Sequence, residues 1–321
     1  IMKPRVLCMA DLSVAPEARS YLQEVCDLDE RPSNRSQLLE LIADYDAFWG
    51  HTELKLDSDF FSRANKLQAI ATASTGRDHI DLDAAEASGV RVLSITRDYG
   101  LLDTFTATAE CAWMLLLACH RHLRTVTRDA LIGDWHGNQR IGSQLSGRTL
   151  GVLGVGRRGQ MTTTFGNAFR MRVIGCDLEP IEQDWVESVD FYRLLEESDV
   201  ICIHVHMTKD NFHLFDSAVL ARMKPGSILV NTSRGDLVDE AALINALETG
   251  NLSAYGADVV HDEWREHMEE SPLIRYANDH ENVIITPHIG GSTSFSLTNA
   301  RVFTAKKLAH FLINGEELRM P

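Results

Sequence analysis

Short β-rich runs alternate with longer helical patterns through most of the chain, the signature of parallel sheets built from βαβ units. The fold class this predicts is doubly wound α/β. In the first hundred residues the candidate strands are Arg5 to Met9, Ala47 to Gly50, Gln68 to Ala73 and Arg91 to Ile95, forming one small sheet. From Asp103 a stretch without Gly or Pro, DTFTATAECAWMLLLACHRHLRTV, reads as a connecting helix with Asp103 or Thr104 as its N-cap. Six further strands follow: Thr149 to Leu153, Arg172 to Cys176, Val200 to His204, Ser227 to Asn231, Ala254 to Asp258 and Val283 to Thr286. Six in series match a dinucleotide-binding sheet. The last helical run carries an apolar stripe (Leu297, Val302, Ala305, Leu308, Phe311, Leu312), stops at Gly315, and can return to the first domain.

Composition narrows the function classes. With 321 residues the chain exceeds the size at which a single core keeps growing, so two domains are expected. Apolar residues make up 44% and charged residues 24%, and no apolar run approaches the roughly 18 residues of a membrane span. No basic stretch leads into an apolar one at the start, so a cytoplasmic address is expected and no membrane partner. The six cysteines are scattered, lack a C-x-x-C pair and read as buried thiols. A net charge of -15 with dispersed Lys and Arg argues against nucleic acid.

One segment, RTLGVLGVGRRGQ, places Gly154, Gly156 and Gly159 in G-x-G-x-x-G spacing between an apolar strand and a helix-length stretch. The turn must be tight and the backbone must approach a pyrophosphate closely, with a helix N-terminus facing that anion. Alone, the motif is equally a glycine-rich turn. Asp177, ending the next strand about 20 residues on, stands where a ribose-binding carboxylate belongs. That carboxylate accepts from a free 2′-hydroxyl and repels a 2′-phosphate, which selects NAD over NADP despite the nearby Arg157 and Arg158.

Three more segments each follow a strand: LVNTSRGDLVDE with Arg234, GADVVHDEW with Asp258 and Glu263, and TPHIGG with His288. In a parallel sheet those strand ends share one side, so an Arg, a Glu and a His can meet there. Reduction of a 2-oxo acid needs a proton donor at the carbonyl oxygen, a task suited to His288, with Glu263 holding the imidazole. Arg234 offers a planar fork of donors for the substrate carboxylate and keto oxygen. Taken singly, these are equally a surface cation, part of an acidic run and a packed histidine; the joint placement favours chemistry.

At these residues the chain resembles the D-isomer-specific 2-hydroxyacid dehydrogenases over nearly its whole length, with ATASTGRDHIDLDAA and TATAE in support. The resemblance implies a Rossmann NAD-binding domain, residues 102–288, inserted into a flavodoxin-like substrate domain of residues 1–101 and 289–321. It implies closure of the two domains and a homodimer. The family's catalytic Arg, Glu and His fall on Arg234, Glu263 and His288, and its carboxylate-binding loop on Ser74, Thr75 and Gly76. Cofactor contacts map to Thr75, Arg157, Arg158, Asp177, the segment around Val205 and His206, Thr232, Ser233, Asp258 and Gly290, and no metal is used.

Other features depart from the commoner members. Trp49, Gly50 and His51 fill a loop where phosphoglycerate-type members carry Arg, which disfavours a phosphorylated three-carbon acid. Arg77 and Arg97 can each bind a second anionic group or simply face solvent. Trp264, and Trp135 with His136, can shape an aromatic wall or only pack. Arg158 and Arg170 replace a common Ile and Gly. His204 and His206, two apart on a strand, have no third metal ligand nearby. Two other functions suit the scaffold: a formate- or phosphite-type dehydrogenase, and a non-catalytic NAD sensor. The Arg, Glu and His set counts against both.

Overall fold

The computed structural model describes residues 3–137 and 141–318. Two compact units make up the chain, Ile1–Phe105 with Ser292–Pro321, and Thr106–Gly291; residues 1–2, 138–140 and 319–321 lie outside the described residues. The crossings follow local packing. Leu101, Leu102 and Phe105 join Ile95, Ala300 and Phe303 in one apolar cluster, which keeps residues 102–105 with the first unit. The Gly290 N–H donates to the Asp258 carboxylate, which keeps that loop with the second.

In the first unit five parallel strands, β1 (Arg5–Cys8), β2 (Asp27–Glu30), β3 (Ala47–Trp49), β4 (Ala69–Thr72) and β5 (Arg91–Ser94), lie in the order β2-β1-β3-β4-β5. That is the flavodoxin-like order. Four strands were expected; β2 was missed because an edge strand reading DLDE carries almost no apolar signal. One face packs Leu7, Phe48 and Ile70 against Leu38, Ile42 and Phe60. The other packs Val6, Ala69 and Leu93 against Leu22 and the C-terminal helix Ser294–Asn314 through Ala305 and Leu308. Trp49 is one of this second core's residues, 1% exposed at the end of β3, so it does not line a loop as expected. Gly315 ends the C-terminal helix at φ +74, the left-handed geometry for which glycine is the usual stop.

The second unit holds β6 (Thr149–Leu153), β7 (Arg172–Cys176), β8 (Val186–Ser188), β9 (Val200–Ile203), β10 (Ser227–Asn231), β11 (Leu252–Ala257) and β12 (Val283–Ile285). All run parallel in the order β12-β11-β10-β9-β6-β7-β8. The extra edge strand β8, a three-residue VES, was not legible for the same reason as β2. The expected connecting helix is two helices, Ala107–His120 and Leu123–Leu131, broken at His122, whose φ of +51 no continuous helix allows. Thr106 precedes the first and bonds Glu110 rather than capping, so the expected N-cap at Asp103 or Thr104 is corrected.

Contrary to expectation, one segment, Tyr99–His120, is long and apolar enough by composition to cross a membrane. Its apolar residues are used within the fold: Cys111, Leu115, Leu116 and Cys119 pack on Leu150, Val152, Val200 and Val230 of the sheet. Tyr255, Ile201 and Leu229 face the opposite core with Phe215, Leu243 and Leu273. All six cysteines are free, and burial pushes the Cys119 and Cys202 thiols up to about 12.

Candidate active site

The loop Gly154–Gly159 leaves the end of β6 and opens the helix Arg157–Ala168. Gly154 sits at φ +87, and a Cβ there would come within 2.9 Å of the His204 carbonyl. At Gly159 a Cβ would run into the Gly154 carbonyl oxygen, so this glycine lets helix and strand cross closely. Gly156, the residue before the helix, meets nothing within 4 Å at its missing Cβ. The first N–H groups of a helix have no partner within it and carry partial positive charge. Open space before them suits an anion.

Asp177 follows β7, and its Oδ2 accepts the Val155 N–H at 2.5 Å while Oδ1 accepts from Glu179 N at 3.1 Å. A carboxylate has about four lone-pair sites, so capacity remains for two hydroxyls. Burial, followed by the Arg157 and Arg234 guanidinium groups, lowers Arg158 to about 10. A negative ligand at this edge would offset that repulsion. Behind the loop, His204 Nε2 bonds Thr162 Oγ1 at 2.9 Å while its Nδ1 is buried without a partner. Desolvation and then Arg158 hold this histidine down to about 3, so it is a neutral packing element. Val205 is half-buried and His206 exposed, its carbonyl accepting from Asn211.

Three loops leave the ends of the neighbouring strands β10, β11 and β12. After β10, Asn231 Oδ1 accepts from Ser233 N at 3.0 Å and its Nδ2 donates to the Arg234 carbonyl at 2.9 Å. Ser233 Oγ donates to Ile203 O, Thr232 Oγ1 is buried without a partner, and Arg234 Nη1 donates to Ser233 O. Gly235 lies against the Val260–His261 backbone so closely that a Cβ would overlap it. Glycine is therefore required where the Arg234 loop touches the loop that carries Glu263.

After β12, His288 adopts φ +52, a left-handed conformation uncommon for residues other than glycine. Asp258, 2% exposed, holds that turn: Oδ1 accepts from Ile289 N at 2.8 Å and Thr286 Oγ1 at 2.6 Å, Oδ2 from Gly290 N at 2.6 Å, and its carbonyl from His288 N at 2.9 Å. A Cβ at Gly290 would come 2.7 Å from Oδ2. The His288 ring then meets Glu263 through Nδ1–Oε1 at 2.7 Å and stacks on Trp264 with centroids 5.9 Å apart at 24°. Glu263, Trp264 and His288 border a cavity of about 630 Å3 that continues over Leu123, Met268 and Ile274. With Nδ1 engaged by a carboxylate, Nε2 is the atom left for proton exchange.

In the first unit Ser74, Thr75 and Gly76 follow β4 and are half-buried. Ser74 Oγ accepts the Gly76 N–H at 3.1 Å, as a carboxylate oxygen would, and the Thr75 carbonyl accepts from Thr96 Oγ1 at 3.0 Å. Sequence reasoning missed Thr162, Asn231 and Thr286. Each acts through a partner remote in sequence or through backbone, and none belongs to a residue class that announces chemistry.

Residues 113–290 match the family described as D-isomer specific 2-hydroxyacid dehydrogenase, NAD binding domain. The chain is 36% identical over 296 residues to a glyoxylate reductase of Thermococcus litoralis, covering 88% of this chain and 85% of that one. It is 33% identical over 273 residues to a hydroxypyruvate reductase of Thermotoga maritima, covering 85% and 86%. Among solved structures, a D-lactate dehydrogenase from Aquifex aeolicus complexed with NAD and lactic acid superposes with a TM-score of 0.85 at 28% identity over 99% of both chains.

Proposed function

The chain belongs to the D-isomer-specific 2-hydroxyacid dehydrogenase family, and from that premise we propose the roles of its residues in moving a hydride between NAD and C2 of a D-2-hydroxy or 2-oxo acid. The relatives named above are a glyoxylate reductase, a hydroxypyruvate reductase and a D-lactate dehydrogenase complexed with NAD, which supports the oxidoreductase reading over the non-catalytic sensor and formate-type ones. NAD, when bound, supplies or accepts the hydride. The glycine loop and the helix behind it receive the diphosphate, with Arg157 and Arg158, and Asp177 takes the adenosine ribose hydroxyls. Val205, His206, Thr232, Ser233 and Gly290, which follow strand ends of the second unit, are further cofactor contacts, and Thr75 is one contributed by the first unit's sequence.

Arg234 binds the substrate carboxylate and keto oxygen, and the backbone N–H groups of Ser74, Thr75 and Gly76 bind the carboxylate, that of Gly76 in exchange for its bond to Ser74 Oγ. His288 donates a proton from Nε2 to the carbonyl oxygen during reduction and takes it back in the reverse direction. Glu263 orients the ring and balances its positive charge. The observation that carries this reading is the Glu263–His288 pair on a left-handed turn pinned by Asp258, with Glu263 following β11, the strand beside the one that Arg234 follows. Asp258 supports that turn with both its oxygens, so its part toward the cofactor runs through Gly290 and Ile289.

The test is NADH consumption with glyoxylate, pyruvate, hydroxypyruvate, branched and phosphorylated 2-oxo acids. His288→Asn keeps a side chain that tolerates the left-handed backbone and removes the proton donor. Turnover in the parent and a loss of about 10²- to 10⁴-fold in the variant is expected. Parent-like turnover in the variant would reject His288 as the acid.

We further propose a homodimer. Leu131, Ile132, Trp135 and Ile141 are each more than 70% exposed, apolar side chains that a second copy would cover. Six free thiols support a reducing, cytoplasmic setting.

A further inference from the structure

Two arginines of the first unit, Arg77 and Arg97, follow neighbouring strands of its sheet. Arg19, Arg31, Arg35 and Arg63 each pair with a carboxylate, and Arg5 lies over the Tyr45 ring and donates to Asp44 O. The guanidinium groups of Arg77, Arg91 and Arg97 have no ion pair or hydrogen bond among the described residues, and Arg91 lies at the opposite end of β5 from Arg97. Arg77 and Arg97 differ from Arg91 in that two cations share one end of the sheet, beside the Ser74–Gly76 loop.

Both sit at the same end of the sheet. β4 and β5 are adjacent and parallel, with Thr72 opposite Ser94. The loops that follow are stitched together: Thr96 Oγ1 donates to Thr75 O at 3.0 Å and shares a 2.9 Å hydrogen bond with Ser94 Oγ. Arg97 is the next residue after Thr96, and Arg77 lies two beyond Thr75, immediately after the Ser74–Gly76 loop.

The backbone beneath Arg97 is fixed. Asp98 and Lys307, 4% and 3% exposed, form an ion pair at 2.9 Å, and the same ammonium donates to Ser94 O at 2.7 Å and reaches Glu317 at 3.0 Å. Breaking a buried pair of this kind is costly, so the loop keeps one conformation while Arg97 projects outward, exposed. Arg77 is half-buried, and its carbonyl closes a turn with Ile80 N at 2.9 Å.

We propose that the substrate is a 2-oxo or 2-hydroxy acid with a second carboxylate at the end remote from C1, held by Arg77 and Arg97. This rests on the reading that Ser74, Thr75 and Gly76 hold the first carboxylate. A guanidinium is planar and fork-shaped and matches a carboxylate with two parallel hydrogen bonds. Placing two of them beside a loop that takes C1 selects a diacid over a monoacid of equal length. The nearby acidic residue Asp98 is occupied by Lys307 and does not neutralise Arg97.

The experiment compares kcat/KM for oxaloacetate and 2-oxoglutarate with that for pyruvate, 2-oxobutyrate and phosphohydroxypyruvate. The proteins are the parent, Arg77→Ser, Arg97→Ser, Arg77→Lys and Arg97→Lys, with Arg91→Ser at the opposite end of β5 as a control. The parent is expected to prefer a diacid. Each Ser variant should lower the diacid-to-monoacid ratio by about ten- to a hundredfold, mainly through KM, as for a lost charged hydrogen bond. The Lys variants should fall between, and Arg91→Ser should keep the parent ratio. Turnover of monoacids without diacid preference, a ratio unmoved by the Ser variants, or preference for the phosphoester would overturn this inference alone. No turnover of any oxo acid by the parent would overturn the reading of the reaction as well.

Discussion

Asp258 shows how one residue sets the chemistry of another. Its carboxylate takes the Ile289 and Gly290 N–H groups and the Thr286 hydroxyl, and the turn so held presents His288 to Glu263. Asp258→Asn would set an amide donor against a backbone donor, and leaving a buried group unsatisfied costs about 1–3 kcal/mol. Denaturant unfolding should register that loss, and turnover should fall with it. His204 makes a second prediction, because burial and Arg158 hold it down to about 3 whereas an unfolded histidine titrates near 6.5. Between those values the unfolded chain carries the extra proton. Stability therefore rises with pH across that window and is lost on acidification, by up to about 1.4 kcal/mol per unit. Unfolding midpoints of the parent should fall more steeply with acid than those of His204→Gln; equal slopes would reject a neutral His204.

Among the elements, the glycine loop separates two uses of one residue type. At Gly159 a Cβ has no room against Gly154, so Gly159→Ala should both unfold more easily and bind NADH poorly. Gly156 faces open space at an ordinary φ of -65, so Gly156→Ala should keep its melting temperature and lose NADH affinity by about tenfold or more. Calorimetry and NADH titration of the pair check this. If Gly156→Ala bound NADH as the parent does, the diphosphate would not sit before this helix. The edge strands β2 and β8 show where pattern reading stops. They pair on one side only and are polar, so neither alternation nor an apolar run marks them. Arg170 shows the reverse: at φ +59 after the glycine-loop helix it occupies a left-handed position that glycine commonly fills.

At the scale of the whole molecule, the exposed apolar segment of the second unit implies self-association. Sedimentation should show a dimer, and Trp135→Asp, which removes a large aromatic side chain 82% exposed in the single chain, should weaken it by about tenfold or more. An unchanged dimer would place the interface elsewhere. The insertion of one unit into the other's sequence also means that the C-terminal helix belongs with β1 to β5, where Ala305 and Leu308 complete a core begun 300 residues earlier.

Much of this was legible in the chain itself. Parallel α/β architecture follows from apolar runs buried on both faces, and the glycine spacing with Asp177 marks the loop proposed for the cofactor because a side chain there would hold an anion away from the backbone. Arg234, Glu263 and His288 could be chosen because each follows a strand, and parallel strands end on one side. The tertiary structure alone decided the left-handed turn at His288 and its support by Asp258, the burial of Trp49, the break at His122, and which arginines find a carboxylate among the described residues. The reason is physical. Periodicity and spacing are local and survive in a string of residues, whereas burial, hydrogen-bond partnership and charge neutralisation depend on neighbours that only folding supplies.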